Sequence, residues 1–207
     1  MKILMSLIPS VSVGKDVFIS ASAKIWDYVQ IRDNAKIGKN VIIGRGAYIG
    51  TGVVVADNCK IQNHALLYEP ATLEQGVFVG PSVVFTNDRY PRAVNPNLKL
   101  KNLNDWEPVG VYVKEGASIG ARSVCVAPVT IGRWAMIAAG SVVTKNVADF
   151  ALMVGVPAKR VGWVGRVGQK LVQDDYEKSV FICPVTQERY KQESQDLLVE
   201  LSHEISL

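Results

Sequence analysis

Side chains that could act as acids, bases or nucleophiles are few in this chain. Its 207 residues include two histidines, His64 and His203. The position of His203 near the end favours a solvated surface residue, whereas His64 could be a general base, a substrate contact or a surface residue. One histidine outside the tail cannot supply the three histidine ligands of a catalytic zinc site, so we expect no metal.

The cysteines and basic residues narrow the chemistry further. Cys59, Cys125 and Cys183 are odd in number and lack Cys-x-x-Cys spacing, which predicts neither a disulfide framework nor a structural zinc site. Lys159 and Arg160 follow a Gly-Val-Pro-Ala stretch. Their N–H groups suit phosphate oxygens, because charged donors bind phosphate strongly. A solvated basic pair after a tight turn is the alternative.

The elements that would position these residues follow a period of six. Aliphatic residues, with one aromatic at the end, recur in steps of six from Val13 to Phe85. Small or β-branched residues recur four positions after each of them, as far as Val83. The pattern lapses and then resumes in a new phase from Val113 to Val143.

Neither the 3.6-residue repeat of a helix nor the alternation of a simple strand gives this pattern. A period of six indicates a short strand followed by a tight corner, so that three units close one triangular coil. Successive coils would pair about 4.8 Å apart. The repeat therefore predicts an all-β parallel solenoid of about six coils, stabilised by contacts between neighbouring coils.

Two segments fall outside the period. Residues 86–110 predict an inserted loop, and a long loop in a regular fold is usually functional. We divide the chain into an N-terminal cap (1–12), a β-helix domain (13–162) and a C-terminal extension (163–207). Within that extension, residues 169–172 and 179–183 predict a strand hairpin and residues 195–203 a short helix. Together they would cap the open end of the solenoid.

The composition excludes several classes of protein. Apolar residues make up 48% and charged residues 20% of the chain, which are globular values. The net charge of +4 is spread along the sequence without a basic run, so nucleic-acid binding is not predicted. The apolar start of the chain is too short to span a membrane and lacks a small-residue cleavage site. We therefore expect a cytoplasmic protein without a membrane span.

Over about residues 13–162 the repeat resembles that of the hexapeptide-repeat acyltransferases. The resemblance implies a left-handed parallel β-helix, an exception to the usual right-handed crossover. It also implies a homotrimer that holds acetyl-CoA and its acceptor between subunits. Zinc carbonic anhydrases with this repeat need three histidines, and ice-binding solenoids need threonine ladders, so the sequence favours neither.

One branch is similar in detail, namely the N-acetyltransferases acting on UDP-2-acetamido-3-amino-2,3-dideoxy-glucuronic acid in O-antigen and lipopolysaccharide synthesis. The shared stretches are Ile25-Trp-Asp-Tyr-Val-Gln-Ile-Arg32, Lys60-Ile-Gln-Asn-His64, Phe85-Thr-Asn-Asp88, Tyr90-Pro-Arg-Ala93, Gly120-Ala-Arg-Ser123, Gly155-Val-Pro-Ala158 and Cys183-Pro-Val-Thr-Gln-Glu-Arg-Tyr190. The branch commonly has glycine where Gln187 stands. The resemblance implies transfer of acetyl from acetyl-CoA to the 3-amino group of a UDP-amino sugar.

An amine acceptor also suits a site without a strong base. A sizeable fraction of a sugar amine is neutral at about pH 8, and its lone pair attacks directly. The departing CoA thiolate, with a thiol pKa of about 8.5 by analogy with cysteine, can accept the proton. In the branch an asparagine lies beside the reactive amine, and it corresponds to Asn87. An amide is no base, but it can orient the amine by accepting its N–H.

The resemblance suggests further contacts, each with a purely structural alternative. On the acceptor side, Asn63, His64, Tyr68 and Glu69 would line one wall of the cleft, Arg89 and Arg92 would lie near the uronate or diphosphate, and Arg32 is another candidate anion contact. On the donor side, the candidates are Gly120, Ala121, Ala138, Ala139, Lys145, Pro157, Lys159 and Arg160. The glycine and alanine residues would let the pantetheine arm lie close to the backbone. A backbone N–H near residues 120–139 would hold the thioester oxyanion.

Two other functions stay open. His64 could act as the general base of an O-acetyltransferase on a sugar or small alcohol. The solenoid could also be a scaffold without catalysis, which the Gly-Val-Pro-Ala-Lys stretch and the long loop disfavour. The sequence does not distinguish acetyl from a longer acyl group.

Overall fold

The computed structural model describes residues 11–102 and 104–201, so His203 and almost all of the predicted N-terminal cap lie outside the described residues. Each repeat unit forms one short strand that contains its aliphatic residue. The repeat strands are β1 (Ser12–Val13), β2 (Phe18–Ile19), β3 (Lys24–Ile25), β4 (Gln30–Ile31), β5 (Lys36–Ile37), β6 (Ile42–Ile43), β7 (Tyr48–Ile49), β8 (Val54–Val55), β9 (Lys60–Ile61), β10 (Leu66–Leu67), β11 (Thr72–Leu73), β12 (Phe78–Val79), β13 (Val84–Phe85), β14 (Val111–Val113), β15 (Ser118–Ile119), β16 (Val124–Cys125), β17 (Val129–Ile131), β18 (Met136–Ile137) and β19 (Val142–Val143).

Three parallel sheets form the faces of a prism. Face A consists of β1, β4, β7, β10, β13, β16 and β19; face B of β2, β5, β8, β11, β14 and β17; face C of β3, β6, β9, β12, β15, β18 and β20 (Ala151–Val154). Each residue pairs with the residue one coil later, as Val13 with Ile31 and Ile31 with Ile49. The predicted all-β parallel solenoid is confirmed, and it is consistent with a left-handed β-helix. We number the coils 1 to 7 by their face A strands.

The core is a set of stacked layers along the prism axis. From coil 2 onwards the predicted aliphatic residues are buried, including Ile31, Ile43 and Leu67, and so are small residues of the corners such as Ala35 and Ala47, whereas Val13 of coil 1 is exposed. Small side chains are needed there because the interior narrows where two faces meet. Each layer therefore packs on the layer above and below it, as expected for a solenoid.

The turns between faces form three corners, which we call corner AB, corner BC and corner CA after the faces that they join. Several polar side chains in these turns accept a backbone N–H from the preceding coil. Asp57 Oδ1 accepts the N–H of Lys39 at 2.7 Å, and Asn63 Oδ1 that of Arg45 at 2.9 Å. A Cβ on Gly44 would lie 2.5 Å from this Asn63 oxygen. This close approach explains why glycine so often follows the aliphatic residue.

The inserted loop replaces the turn at corner AB of coil 5. Face A ends at Phe85 and face B resumes at Val111, as the lapse in the repeat predicted. The prism is not interrupted, because Leu73 of β11 pairs directly with Val113 of β14. Inside the loop, a short antiparallel bridge joins Val94 to Leu100.

The C-terminal extension is a small antiparallel sheet at the end of the prism. Before it, β21 (Lys159–Trp163) pairs antiparallel with β20 at the edge of face C. The sheet of the extension consists of β22 (Val172–Gln173), β23 (Val180–Ile182), β24 (Arg189–Ser194) and β25 (Leu197–Glu200). The pairing of β22 with β23 confirms the predicted hairpin. Tyr190 of β24 is fully buried, and its ring lies 5.3 Å from that of Phe150 in the last turn of corner BC. The sheet therefore packs against the last coils.

The predicted helix at residues 195–203 is wrong. Residues 197–200 form β25, which pairs with β24. Leu198 is buried whereas Leu197 is exposed, which is the alternation of a strand. The helical reading failed because the partner strand, and not local preference, determines this segment. None of the described residues forms a helix long and apolar enough to cross a membrane.

Candidate active site

Corner AB brings together several of the predicted acceptor residues. Leu67 pairs with Phe85 across coils 4 and 5, so Glu69 and Asn87 occupy equivalent positions two residues further along the chain. Successive coils lie about 4.8 Å apart, so the two positions lie on adjacent coils at the same corner. Tyr68 precedes Glu69, and its ring centroid lies 5.0 Å from that of Tyr48, one coil below.

The electrostatics of this cluster link it to Arg32. Burial raises the pKa of the Tyr48 phenol, the nearby Glu69 carboxylate raises it further, and Arg32 lowers it. One carboxylate oxygen of Glu69, Oε2, is buried and has no hydrogen-bond partner among the described residues. A buried carboxylate oxygen without a partner is costly, so this oxygen is a candidate acceptor for a bound ligand.

Asn87 lies at the base of the inserted loop. Its carbonyl oxygen accepts the N–H of Val109 at 3.0 Å, which ties the two ends of the loop together. The loop then returns past Pro70, since a Cβ on Gly110 would lie 2.7 Å from the Pro70 carbonyl oxygen. The Asn87 backbone is thus fixed, while its side-chain amide makes no hydrogen bond to another described residue. That amide is free to bind a ligand.

The loop also holds Arg89 and Arg92, both exposed. Arg92 Nη1 donates to the carbonyl oxygen of Pro91 at 2.9 Å. A shallow cleft of about 230 Å³ lies beside them, and the residues that line it are Asp88, Arg89, Tyr90, Lys101, Asp105, Trp106, Glu107 and Val109. Arg89 therefore lines this cleft, and Arg92 lines an adjoining one that shares Asp88, Lys101 and Trp106 with it.

Asn63 and His64 lie at corner CA, on the other edge of face A. Asn63 and His64 precede strand β10 (Leu66–Leu67) in the chain, and Tyr68 and Glu69 follow it, so the strand separates the two pairs. Four residues of extended chain separate His64 from Tyr68, at most roughly 13 Å. The structure therefore does not gather the four residues at one point of a single chain. The Asn63 oxygen is already used in the corner, and the His64 imidazole packs over Gly46.

The predicted donor residues meet at the upper part of corner CA. Ile119 pairs with Ile137, so Gly120 stacks on Ala138 and Ala121 on Ala139. A Cβ on Gly120 would lie 2.4 Å from the Ala139 nitrogen, which leaves room for no larger residue there. Ala139 and Gly140 are exposed. The corner thus presents a surface of backbone and small side chains on which a thin ligand can lie.

Two buried hydroxyl groups hold this corner in shape. Ser123 Oγ donates to the carbonyl oxygen of Ala138 at 3.0 Å. Ser141 Oγ accepts the N–H of Gly155 at 3.1 Å. Gly155 has a φ of 101° and begins the turn that carries Pro157, so Ser141 positions that turn.

The predicted basic donor contacts are dispersed. Lys159 is exposed at the start of β21. The Arg160 guanidinium stacks 4.0 Å from the Trp163 ring, and its Nη1 lies 3.2 Å from Asp196 of the extension. Lys145 is exposed at corner AB of coil 7, away from the other donor candidates. Arg160 therefore contacts Trp163 and lies close to Asp196, although its buried Nη1 makes no hydrogen bond to another described residue.

Sequence reasoning missed Tyr48 and Arg122. Tyr48 is part of the corner AB cluster described above. Arg122 is exposed at corner CA, next to Ala121, with a left-handed φ of 58°. A large residue where the other corners favour glycine or asparagine was the signal that could have identified it. Among residues 11–102 and 104–201, no group of three or more His, Cys, Asp or Glu side chains could hold a metal ion.

Comparison with known proteins finds the hexapeptide repeat in two segments of the chain. The model of the family "Bacterial transferase hexapeptide (six repeats)" matches residues 16–51, and that of "Hexapeptide repeat of succinyl-transferase" matches residues 110–145. A curated relative, the dTDP-3-amino-3,6-dideoxy-alpha-D-galactopyranose 3-N-acetyltransferase of Aneurinibacillus thermoaerophilus, is 54% identical over 59 residues. Those residues are 28% of this chain and 31% of the relative, so the chain spans about a third of that protein's length.

Solved structures share the fold. The product of the BC4754 gene of Bacillus cereus superposes with a TM-score of 0.61 at 24% identity, over 75% of this chain and 84% of that one. A hexapeptide transferase family protein from Anaplasma phagocytophilum superposes with a TM-score of 0.59 at 20% identity, over 75% and 85% of the two chains. At these identities the likeness extends to the fold.

Proposed function

We propose that this chain, a hexapeptide-repeat acyltransferase by its repeats and fold, moves an acetyl group from acetyl-CoA to the amine of a nucleotide-linked amino sugar. The observation that carries the proposal is Asn87, an amide without a partner at the base of the long loop, in a corner without histidine. An amide can orient a nucleophile by accepting its N–H but cannot itself act as a base. It therefore suits an amine, which attacks through its own lone pair.

The reaction needs little from the protein beyond orientation. The neutral amine adds to the thioester carbonyl, the tetrahedral intermediate expels the CoA thiolate, and that thiolate takes the proton from the nitrogen. Asn87 would accept one N–H of the amine and aim its lone pair. A backbone N–H near residues 120–139 would bind the oxyanion. The products are the amide and the free CoA thiol, which carries the proton lost by the nitrogen.

The donor surface fits the pantetheine arm of CoA. Ala121 and Ala139 leave the backbone of corner CA accessible, and Ser141 fixes the turn that leads to Pro157. Arg122 and Lys159 supply exposed positive charge for its phosphates, whereas Lys145, at corner AB, would reach them only from a neighbouring subunit. Arg160 would reach a phosphate only by leaving Asp196, so we expect it to contribute less to phosphate binding than the exposed cations.

A complete site needs a second copy of the chain. The donor surface at corner CA and the Asn87 cluster at corner AB lie on opposite edges of face A. Between them runs an outward apolar ladder of Leu66, Val84, Val124 and Val142, in register on coils 4 to 7. If prisms pack side by side, corner CA of one subunit meets corner AB of the next. We propose a homotrimer on this basis, with one site in each cleft.

The curated relative and the exposed arginines support a more detailed proposal for the acceptor. The curated relative acetylates a 3-amino group of a nucleotide sugar. Arg32, Arg89 and Arg92 would add contacts to a carboxylate or diphosphate. We therefore propose a UDP-2-acetamido-3-amino-2,3-dideoxy-glucuronate as substrate, in O-antigen sugar synthesis in the cytoplasm, where acetyl-CoA is available.

The test is acetyl-CoA turnover, followed by thiol release, with UDP- and dTDP-linked 3-amino sugars and their 3-hydroxyl analogues. We expect turnover with the amines alone. Asn87→Ala should lower kcat/KM roughly 10- to 100-fold, the worth of one well-placed hydrogen bond, while His64→Ala keeps kcat within about threefold.

Other outcomes would redirect the assignment. Turnover of hydroxyl acceptors that His64→Ala abolishes would establish O-acetyl transfer with His64 as base. A wild-type protein that CoA does not stabilise in thermal unfolding would be a scaffold.

A further inference from the structure

Corner CA carries large side chains where the backbone does not favour them. Tyr28, His64 and Arg122 occupy the same turn position on different coils, with φ of 61°, 60° and 58°. The equivalent turns of the other corners contain mostly Asp, Asn and Gly, as at Asn34 and Asn58. A left-handed conformation costs a large residue about 1–2 kcal/mol, whereas glycine and asparagine adopt it readily.

Burial against the rest of the chain does not account for these residues. Corner BC also has two large left-handed residues, Trp134 and Phe150, but both contact the C-terminal extension. Tyr28, by contrast, is 48% exposed, and His64 and Arg122 are exposed as well. The contacts that they make, of the Arg45 guanidinium with the Tyr28 ring and of the His64 imidazole over Gly46, lie at the surface. Exposed residues held in a strained conformation are expected at ligand-binding sites.

The lower end of this corner has the chemistry of a nucleotide site. Trp26 is 59% exposed and lies two residues before Tyr28 on coil 1. The Arg45 guanidinium of coil 2 lies 4.8 Å from the centre of the Tyr28 ring. Aromatic faces stack on nucleobases, and arginine pairs with phosphate oxygens. Arg32, on corner AB, belongs to coil 2 as well, so both edges of face A carry a cation at one height.

We propose that Trp26, Tyr28 and Arg45 form the platform that binds the nucleobase and diphosphate of the nucleotide-linked substrate. The ligand class rests on the proposed function. The base stacks on the aromatic pair at coil 1, the diphosphate lies against Arg45 at coil 2, and the sugar extends toward the coils above. His64 lies about two coils above Tyr28, roughly 10 Å along the axis. This is comparable with the reach of a diphosphate from its base to its sugar.

Calorimetric titration of the full chain with UDP and with inorganic pyrophosphate tests the platform. Trp26→Ala and Tyr28→Ala should each weaken UDP binding about 5- to 100-fold, the range of one base–aromatic stack. They should leave pyrophosphate binding unchanged, whereas Arg45→Ala should weaken both ligands. Phe18→Ala is the matched control, because Phe18 is a 63% exposed aromatic of coil 1 on face B.

The platform is refuted if Trp26→Ala and Tyr28→Ala bind UDP with the affinity of the wild type. It is also refuted if the control Phe18→Ala loses as much UDP affinity as they do. Thermal stabilisation by CoA should be the same in every variant, which shows that each one folds. Failure of the proposed function looks different, since the wild type would then neither bind CoA nor acetylate an amino sugar. If amino sugars are acetylated with an unchanged KM in Trp26→Ala, the platform alone is refuted.

Discussion

Ser141 should stabilise the donor corner through a single hydrogen bond. Its side chain is 1% exposed, and its Oγ accepts the N–H of Gly155 at 3.1 Å. Ser123, one coil below, is equally buried, but its Oγ donates to the Ala138 carbonyl, which also accepts the N–H of Ser141. The same substitution, serine to alanine, therefore removes an acceptor at one site and a donor at the other.

The two losses differ in cost. Ser141→Ala leaves the Gly155 N–H without its partner, which costs about 1–3 kcal/mol when the group is shielded from water. Ser123→Ala leaves the Ala138 carbonyl with its second donor, so we expect about 1 kcal/mol or less. For a protein of this size each kcal/mol shifts Tm by roughly 2–4 °C. Ser141→Ala should thus lower Tm by about 2–12 °C, and Ser123→Ala by less.

Thermal unfolding followed by circular dichroism gives the stabilities, and steady-state kinetics give the function. Ser141→Ala should raise the KM for acetyl-CoA, because the turn at Gly155 loses its support, while the KM for the sugar stays the same. The reasoning is refuted if Ser123→Ala destabilises as much as Ser141→Ala, or if Ser141→Ala changes the free energy of unfolding by less than about 0.5 kcal/mol.

Three further predictions concern the core, the thiols and the extension. Phe85 is fully buried, so Phe85→Ala should cost about 3–5 kcal/mol in urea unfolding; a cost below about 1.5 kcal/mol would contradict close packing at the loop base. Burial raises the pKa of Cys59 to about 11 and that of Cys125 to about 12. Iodoacetamide at about pH 8 should therefore alkylate neither thiol until denaturant is added, and alkylation of either one in the folded protein, detected by mass spectrometry, would contradict this. Asp196 is largely exposed beside Arg160, so Asp196→Ala should cost less than about 1 kcal/mol in thermal unfolding, and a larger loss would show that the ion pair supports the extension.

Much of the fold could be predicted because the repeat is local. An aliphatic residue every six positions defines inside and outside for each strand, and the buried Ile31 and Ile43 lie where the period puts them. The glycines after the aliphatic residues have a cause that the pattern does not reveal, namely the corner acceptors such as Asn63 that approach them. Residues 195–203 were misread because their partner strand, β24, determines their structure.

The candidate residues could be found in the sequence, but their grouping depended on the coil. The period by itself determined that His64 lies in a turn and points away from the core, and its lapse placed Asn87 in the inserted loop. It left open how many units the inserted loop replaces, and with that the face of every later residue. The pairing of Leu73 with Val113 shows that the loop replaces one turn only. Tertiary structure alone therefore decided that Ala139 lies at corner CA with His64, and that Lys145 lies at corner AB with Asn87. The physical reason is that strand pairing between coils, rather than the local pattern, aligns the segments on either side of a loop.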